Sequence, residues 1–403
     1  MRTSSARPRG LRRHGTRFRL YPQVPIPSAR WEPEIVVVSP PVGSVHPGPA
    51  DHRMYVADAV AKDRPYGDDD LPPYRGAVYP PVPPGPDGHF DHLELGSDAF
   101  MAAHMYGTIR FVLDVWERYL GGEIPWHFAA DFERLELIPV VDWDNAQCGY
   151  GFIETGFARI GVTPSHPFCL DFDVLAHELG HAFIYSLLGV PPEDRVTAEY
   201  LAFHESAADC GAMIAVLHFD SVVDDLLRNS RGNIYLPNEL NRIGELSDTE
   251  QLRIASHSLT MADVPDRTTP VAELTQPERH TIGLPLTGAV FDILVEEHVI
   301  SRELDDLSRQ RQDAPIDAVQ AGFDRAYAGR HDIFKAALLD ARDYVGRLLA
   351  RTWRLLGWDV TFTGVAGAMV AADRRLTAGR GRNLVIDNLS WRGIGIGVPV
   401  GGE

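Results

Sequence analysis

One eleven-residue stretch constrains this chain more than any other: Val174-Leu175-Ala176-His177-Glu178-Leu179-Gly180-His181-Ala182-Phe183-Ile184. Its apolar background predicts a buried helix, and a buried helix that carries ionisable side chains has to give them partners. Side chains four apart share one helix face. His177 and His181 are therefore set to grip a single metal ion, with Glu178 pointing at a water on that metal, the H-E-x-x-H arrangement of a zinc hydrolase.

Two histidines leave a tetrahedral zinc ion one protein ligand short if a water is to keep the fourth position. The segment His204-Glu205-Ser206-Ala207-Ala208-Asp209, in a second predicted helix from about Ala198 to His218, places Glu205 and Asp209 on one face. Glu205 is the expected third ligand. Asp209, one turn on, is expected to accept the free ring N–H of a ligating histidine and so to fix its tautomer. The interval between His181 and Glu205 is long enough to end one helix, turn and start another alongside. His204 is expected on a different helix face, in a structural role.

Around this centre the patterns change along the chain. Residues 1–50 are expected to be a disordered basic segment, apart from a short strand at Ile35–Val38, and residues 51–95 a proline-rich extended arm, since clustered prolines remove backbone donors. Ser97 or Asp98 is expected to cap a core helix running to about Leu120. Short β-like runs follow at Trp126–Phe128, Arg134–Val141 and Phe157–Val162. Helical patterns resume at Leu286–Ile300, Ile316–Gly329 and Ile333–Leu356. Sheet first and helices afterwards predict an α+β fold, with residues 96–185 as an N-terminal catalytic lobe and 186–403 as a helical C-terminal lobe. No internal repeat is evident.

Charge and composition narrow the function classes. Residues 1–31 hold eight arginines and no acid, leaving 30 basic against 56 acidic residues, about −26, in the rest. An acidic body disfavours a nucleic-acid partner, and the partner of the basic tail is left open. No run reaches the eighteen apolar residues of a membrane helix, and no compact apolar signal segment opens the chain. With only three cysteines, the expectation is a protein of the reducing cytoplasm with no membrane partner.

H-E-x-x-H followed about one helix later by E-x-x-x-D resembles the gluzincin metallopeptidases, and residues 97–300 are most similar to the thermolysin family. Besides the zinc motif, the similar segments are Asp98-Ala99-Phe100 through Met105-Tyr106-Gly107, Asp144-Asn145-Ala146-Gln147, Phe172–Ala176, Gln251-Leu252-Arg253, and His280-Thr281-Ile282-Gly283. The resemblance implies a two-lobed thermolysin-like zincin with the active-site helix between the lobes, acting on peptide or protein substrates. It implies that Asn145 and Ala146 hold the substrate backbone, that Arg253 serves a substrate carbonyl, with Arg267 and Arg279 as competitors for that task, and that His280 donates to the oxyanion. The family's active-site tyrosine has Tyr185 and Tyr200 as alternatives. No Asp-rich run matches the family's calcium sites, so one Zn2+ is the expected cofactor and calcium is not. Rival readings are a narrow-specificity aminopeptidase or maturation protease of the same class, and a zinc-binding scaffold without turnover.

Overall fold

The computed structural model describes residues 14–23, 32–67, 69–160, 163–236, 238, 240, 242–245, 251–300 and 315–397. The fold is mixed α+β, with small sheets and a helical C-terminal part. Two compact units divide it: residues 1–115 with 128–175, and residues 116–127 with 176–403. The division falls inside two helices, α1 (Asp98–Leu120) and α2 (Phe172–Leu188).

The first unit is built on a four-stranded sheet of order β3-β4-β6-β5, from Met54–Val56, Leu135–Ile138, Phe152–Thr155 and Ala146–Gly149. β3 and β6 run parallel to β4, and β5 closes one edge antiparallel to β6. Every residue of β4 and β6 is buried, as strands covered on both faces require. Two of them are acids, Glu136 and Glu154, each with no accessible surface.

These acids hold the proline-rich segment. Glu136 accepts from Tyr55 Oη at 2.7 Å, Tyr66 Oη at 2.9 Å and Tyr74 N at 2.8 Å. Glu154 accepts from Lys62 Nζ at 2.6 Å and Tyr66 N at 2.6 Å. The expected extended arm is thus fastened to the sheet along residues 55–74, because a buried carboxylate needs several donors and this segment provides them. The expectation of disorder over residues 1–50 falls partly on 1–13 and 24–31, outside the described residues. Within the rest, β1 (Thr16–Leu20) pairs antiparallel with β2 (Glu34–Val38). Phe18 of β1 stacks on Phe90 with ring centroids 5.0 Å apart, and alternating burial along β1 turns its apolar side chains inward.

α1 is capped by Ser97, whose Oγ accepts from Phe100 N at 3.1 Å, and it ends at Gly121 in the left-handed region. α2 is capped by Asp171, whose Oδ1 accepts from the amides of Asp173 and Val174 at 2.9 and 3.1 Å. Gly189, also left-handed, ends it.

The second unit holds the remainder of α2 and the helices α3 (Ala198–Val216), α4 (Asp220–Ser230), α5 (Gln276–Ile300), α6 (Ile316–Tyr327), α7 (His331–Trp353), α8 (Phe362–Thr377) and α9 (Arg382–Trp391). It also holds the strand pair β9 (Arg242–Glu245) and β10 (Gln251–Ile254). The first unit's last pair is β7 (Phe157–Ile160) with β8 (Thr163–Pro167). Trp116, Phe183 and Trp353 form an aromatic cluster in the core of the second unit. No helix among the described residues is long and apolar enough to cross a membrane.

Candidate metal centre

α2 and α3 carry five of the candidate residues, His177, Glu178 and His181 on the one and Glu205 and Asp209 on the other, and two alanine-or-smaller positions bring them together. A Cβ built on Gly180 would lie 2.7 Å from Ala208 Cα and 2.9 Å from Ala208 Cβ. Only hydrogen at position 180 permits that approach. Gly180 stands between His177 and His181, and Ala208 between Glu205 and Asp209, so the backbone contact centres the two pairs on each other. α3 starts at a Thr197 cap, whose Oγ1 accepts from Tyr200 N at 3.1 Å.

α5 reaches the same place by a second glycine contact. A Cβ on Gly283 would sit 2.5 Å from Ala202 O, one turn from both His280 and Glu205. α5 begins at Gln276, ten residues before the expected start at Leu286, so His280 is inside a helix and not in a polar segment ahead of one. The reason is a capping box. Thr275 N donates to Glu278 Oε2 at 2.8 Å, and Glu278 N donates to Thr275 Oγ1 at 3.4 Å. Thr275-Gln276-Pro277-Glu278 is therefore the sequence signal that places His280 on α5, with Pro277 in the first turn where its missing N–H is harmless.

The polar atoms converge. His177 Nε2 is 3.1 Å from His181 Nε2 and 3.3 Å from Glu205 Oε2. His181 Nε2 is 3.8 Å and His280 Nε2 is 2.8 Å from that same oxygen. His177 Nδ1 donates to Asp209 Oδ1 at 2.9 Å, which leaves Nε2 as the lone-pair nitrogen facing the cluster. Glu178 follows His177 on α2 and is 8% exposed. Burial alone would push the Glu205 carboxyl up, but His181, His177 and His280 together outweigh it and hold that carboxyl well below the usual carboxylate range.

These spacings suit a metal. Two tetrahedral donors bonded to zinc at about 2.0–2.1 Å stand roughly 3.3 Å apart, and the separations among His177, His181 and Glu205 bracket that value. His177, Glu205 and His280 also each offer a ligand atom within 4.8 Å of the other two. Converging lone pairs and a carboxylate oxygen form a donor set that a divalent cation satisfies.

Beside the cluster, His204 is almost wholly buried and neither ring nitrogen has a hydrogen-bond partner among the described residues. Its ring lies 4.3 Å from that of Tyr185, 4.6 Å from Tyr200, and 5.8 Å from His181 at an interplanar angle of 14°. Burial drives its pKa well below the ordinary histidine value, so it packs as a neutral ring behind His181. Tyr200 Oη donates to Gly189 O at 3.2 Å.

The remaining expected site residues are carried by other elements. Asn145 and Ala146 belong to the first unit. Asn145 is exposed and its carbonyl accepts from Gly156 N at 2.9 Å, while Ala146 opens the edge strand β5 opposite Thr155. Arg253 lies in β10 opposite Ile243, and its side chain falls outside the described structure. Of its competitors, Arg267 pairs with Glu199 at 3.3 Å, and Arg279 donates to the carbonyls of Val271 and Leu274 at 3.5 and 3.3 Å.

No family model matches this chain, and no curated protein matches it. Among solved structures it is similar to the precursor of protealysin, a metalloproteinase from Serratia proteamaculans. That match has 13% identity over 84% of this chain and 86% of the other, with a TM-score of 0.47.

Proposed function

We propose that this protein is a zinc-dependent metallopeptidase in which His177, His181 and Glu205 hold the metal and Glu178 is the general base. The observation that carries the reading is the convergence of two imidazole nitrogens and a carboxylate oxygen at 3.1, 3.3 and 3.8 Å beside Glu178. When bound, zinc polarises a carbonyl oxygen and lowers the pKa of water.

The chain's own residues supply the rest. Asp209 holds the His177 ring by its Nδ1–H, so that Nε2 faces the metal position. Glu178 takes a proton from the attacking water and returns it to the leaving amine. His280 serves the developing oxyanion only when both its ring nitrogens carry protons, since Nδ1–H is already given to Gln276 O. Asn145 and Ala146, at an edge strand, and Arg253 are proposed to hold an extended peptide, the strand by backbone pairing.

The test is cleavage of a mixed peptide library with and without a chelator, with zinc measured on the same sample. We expect near one zinc per chain and cleavage that the chelator abolishes. Glu178→Gln should keep the zinc and lose at least about 100-fold in kcat, the range of a lost general base. Unchanged hydrolysis in that variant would sink the mechanism, and a zinc-loaded wild type that cleaves nothing would favour a scaffold.

A further inference from the structure

The last helices reverse the charge of the chain. Residues 344–397 hold eight arginines, no lysine and three acids, Asp359, Asp373 and Asp387, in a protein whose net charge is −18. Arg392 is buried against Asp292, and the other seven arginines are exposed. Arg380 acts on Glu297 of α5, with Asp340 close by. The other six make no ion pair or side-chain hydrogen bond among the described residues.

The fold gathers these arginines. Arg347, Arg351 and Arg354 recur at helical spacing, so they share one face of α7 and its C-cap. Tyr344 Oη donates to Asp373 Oδ1 at 3.1 Å. A Cβ on Gly381 would press on Tyr344 Oη and lie 2.7 Å from Asp373 Oδ1. α7, the end of α8 and the start of α9 therefore meet at one point. Arg347 is a turn past Tyr344, Arg374 follows Asp373, and Arg380 and Arg382 flank Gly381. Like charges brought together repel, and an anion relieves that repulsion.

The guanidinium fork matches a carboxylate or a phosphate with paired hydrogen bonds. Two features favour the carboxylates of a peptide. The net charge of −18 repels a long polyanion such as a nucleic acid or an anionic membrane. No aromatic side chain in residues 344–390 is exposed to stack on a base.

We propose that this corner docks an acidic peptide segment of the protein's substrate. The inference rests on the metallopeptidase reading and adds a substrate class to it: proteins with an acidic run set apart from the cleaved bond. Arg380 acts on Glu297, which follows His280 by seventeen residues on the same helix. At 1.5 Å per residue the two positions are about 25 Å apart. An extended chain covers at most about 3.6 Å per residue, so the acidic run has to begin roughly seven or more residues from the scissile bond.

The test is fluorescence polarisation of a labelled oligo-aspartate with the full-length protein, followed by cleavage kinetics. We expect binding that weakens as salt rises and that falls roughly fivefold or more in the double variant Arg374→Glu, Arg382→Glu. Equal binding by that variant, or tighter binding of single-stranded RNA or anionic vesicles by the wild type, would overturn the assignment. In a cleavable peptide, an acidic run about ten residues from the scissile bond should lower KM and leave kcat unchanged. A wild-type KM indifferent to that run would overturn the docking role whatever the variant does. Oligo-aspartate bound by a wild type that cleaves no peptide would overturn the metallopeptidase reading and leave the acidic-peptide surface standing.

Discussion

Asp209 shows how much one side chain decides at this site. It is 1% exposed, and its Oδ1 is 2.9 Å from His177 Nδ1. Without that acceptor the ring is free to turn or to take the other tautomer. Asp209→Ala should lower zinc affinity by about 10–100-fold, the usual loss when such a partner goes, as measured by chelator competition. Circular dichroism of the apo protein should stay close to wild type. A variant that binds zinc as tightly as the wild type would show that Asp209 does not orient the ligand. The meeting of His177, His181, Glu205 and Asp209 was legible in the sequence because i and i+4 positions on a helix share a face whatever the surroundings. The tautomer of His280 was not. It depends on a carbonyl at position 276, and hence on where α5 starts, and that turned on the capping box at Thr275 and Glu278. For His204 the spacing to Tyr200, one turn earlier on α3, was legible, whereas the stacking against Tyr185 and His181 depends on how α2 meets α3.

At the scale of elements, the site depends on helices touching backbone to backbone. Gly180→Ala would set a methyl group 2.7 Å from Ala208 Cα, closer than carbon atoms approach, so α2 and α3 must part. The expected destabilisation is about 1–3 kcal/mol, as for other overpacked cores, seen as a lower midpoint in denaturant. Zinc affinity should fall with it, because the His177 and His181 face would move off the Glu205 face. Zinc affinity unchanged in a destabilised Gly180→Ala would mean that the contact serves stability alone. The H-E-x-x-H pattern leaves position 180 open, and its glycine is explained only by the neighbouring helix. Long-range contacts likewise explain the proline-rich segment. Its composition excludes regular helix, as found, but not attachment, and Tyr66 and Tyr74 find their acceptors 88 and 62 residues further along the chain. Patterning identifies α1, α3, α6 and α7 to within a few residues because their apolar stripes are long, whereas β1 lies in a segment too rich in arginine to suggest a strand.

For the whole molecule, buried titratable groups set opposing pH limits on stability. His104 is fully buried and satisfied as a neutral ring, donating from Nδ1 to Cys169 O at 2.8 Å and accepting Tyr21 N at 2.9 Å on Nε2. Burial brings its pKa down to about 4, and the same holds for His298 and His257. A depressed folded-state value means that the stability these groups contribute is complete above the ordinary value near 6.5 and is lost as pH falls toward 4. Glu297 works the other way. Burial, then Asp373 and Asp340, raise its carboxyl to about 7 against the pull of Arg380. Its contribution is complete below its ordinary value near 4.5 and is lost as pH climbs through 7. Glu297→Gln removes the ionisation and should therefore stabilise the protein at pH 8 by roughly 1–2 kcal/mol, after allowing for partial exposure. At pH 5 it should change little, because the native carboxyl is already protonated there. Thermal melts of both proteins at the two pH values check this. Equal shifts at pH 5 and pH 8 would show that the variant acts through packing and that Glu297 does not ionise in this range.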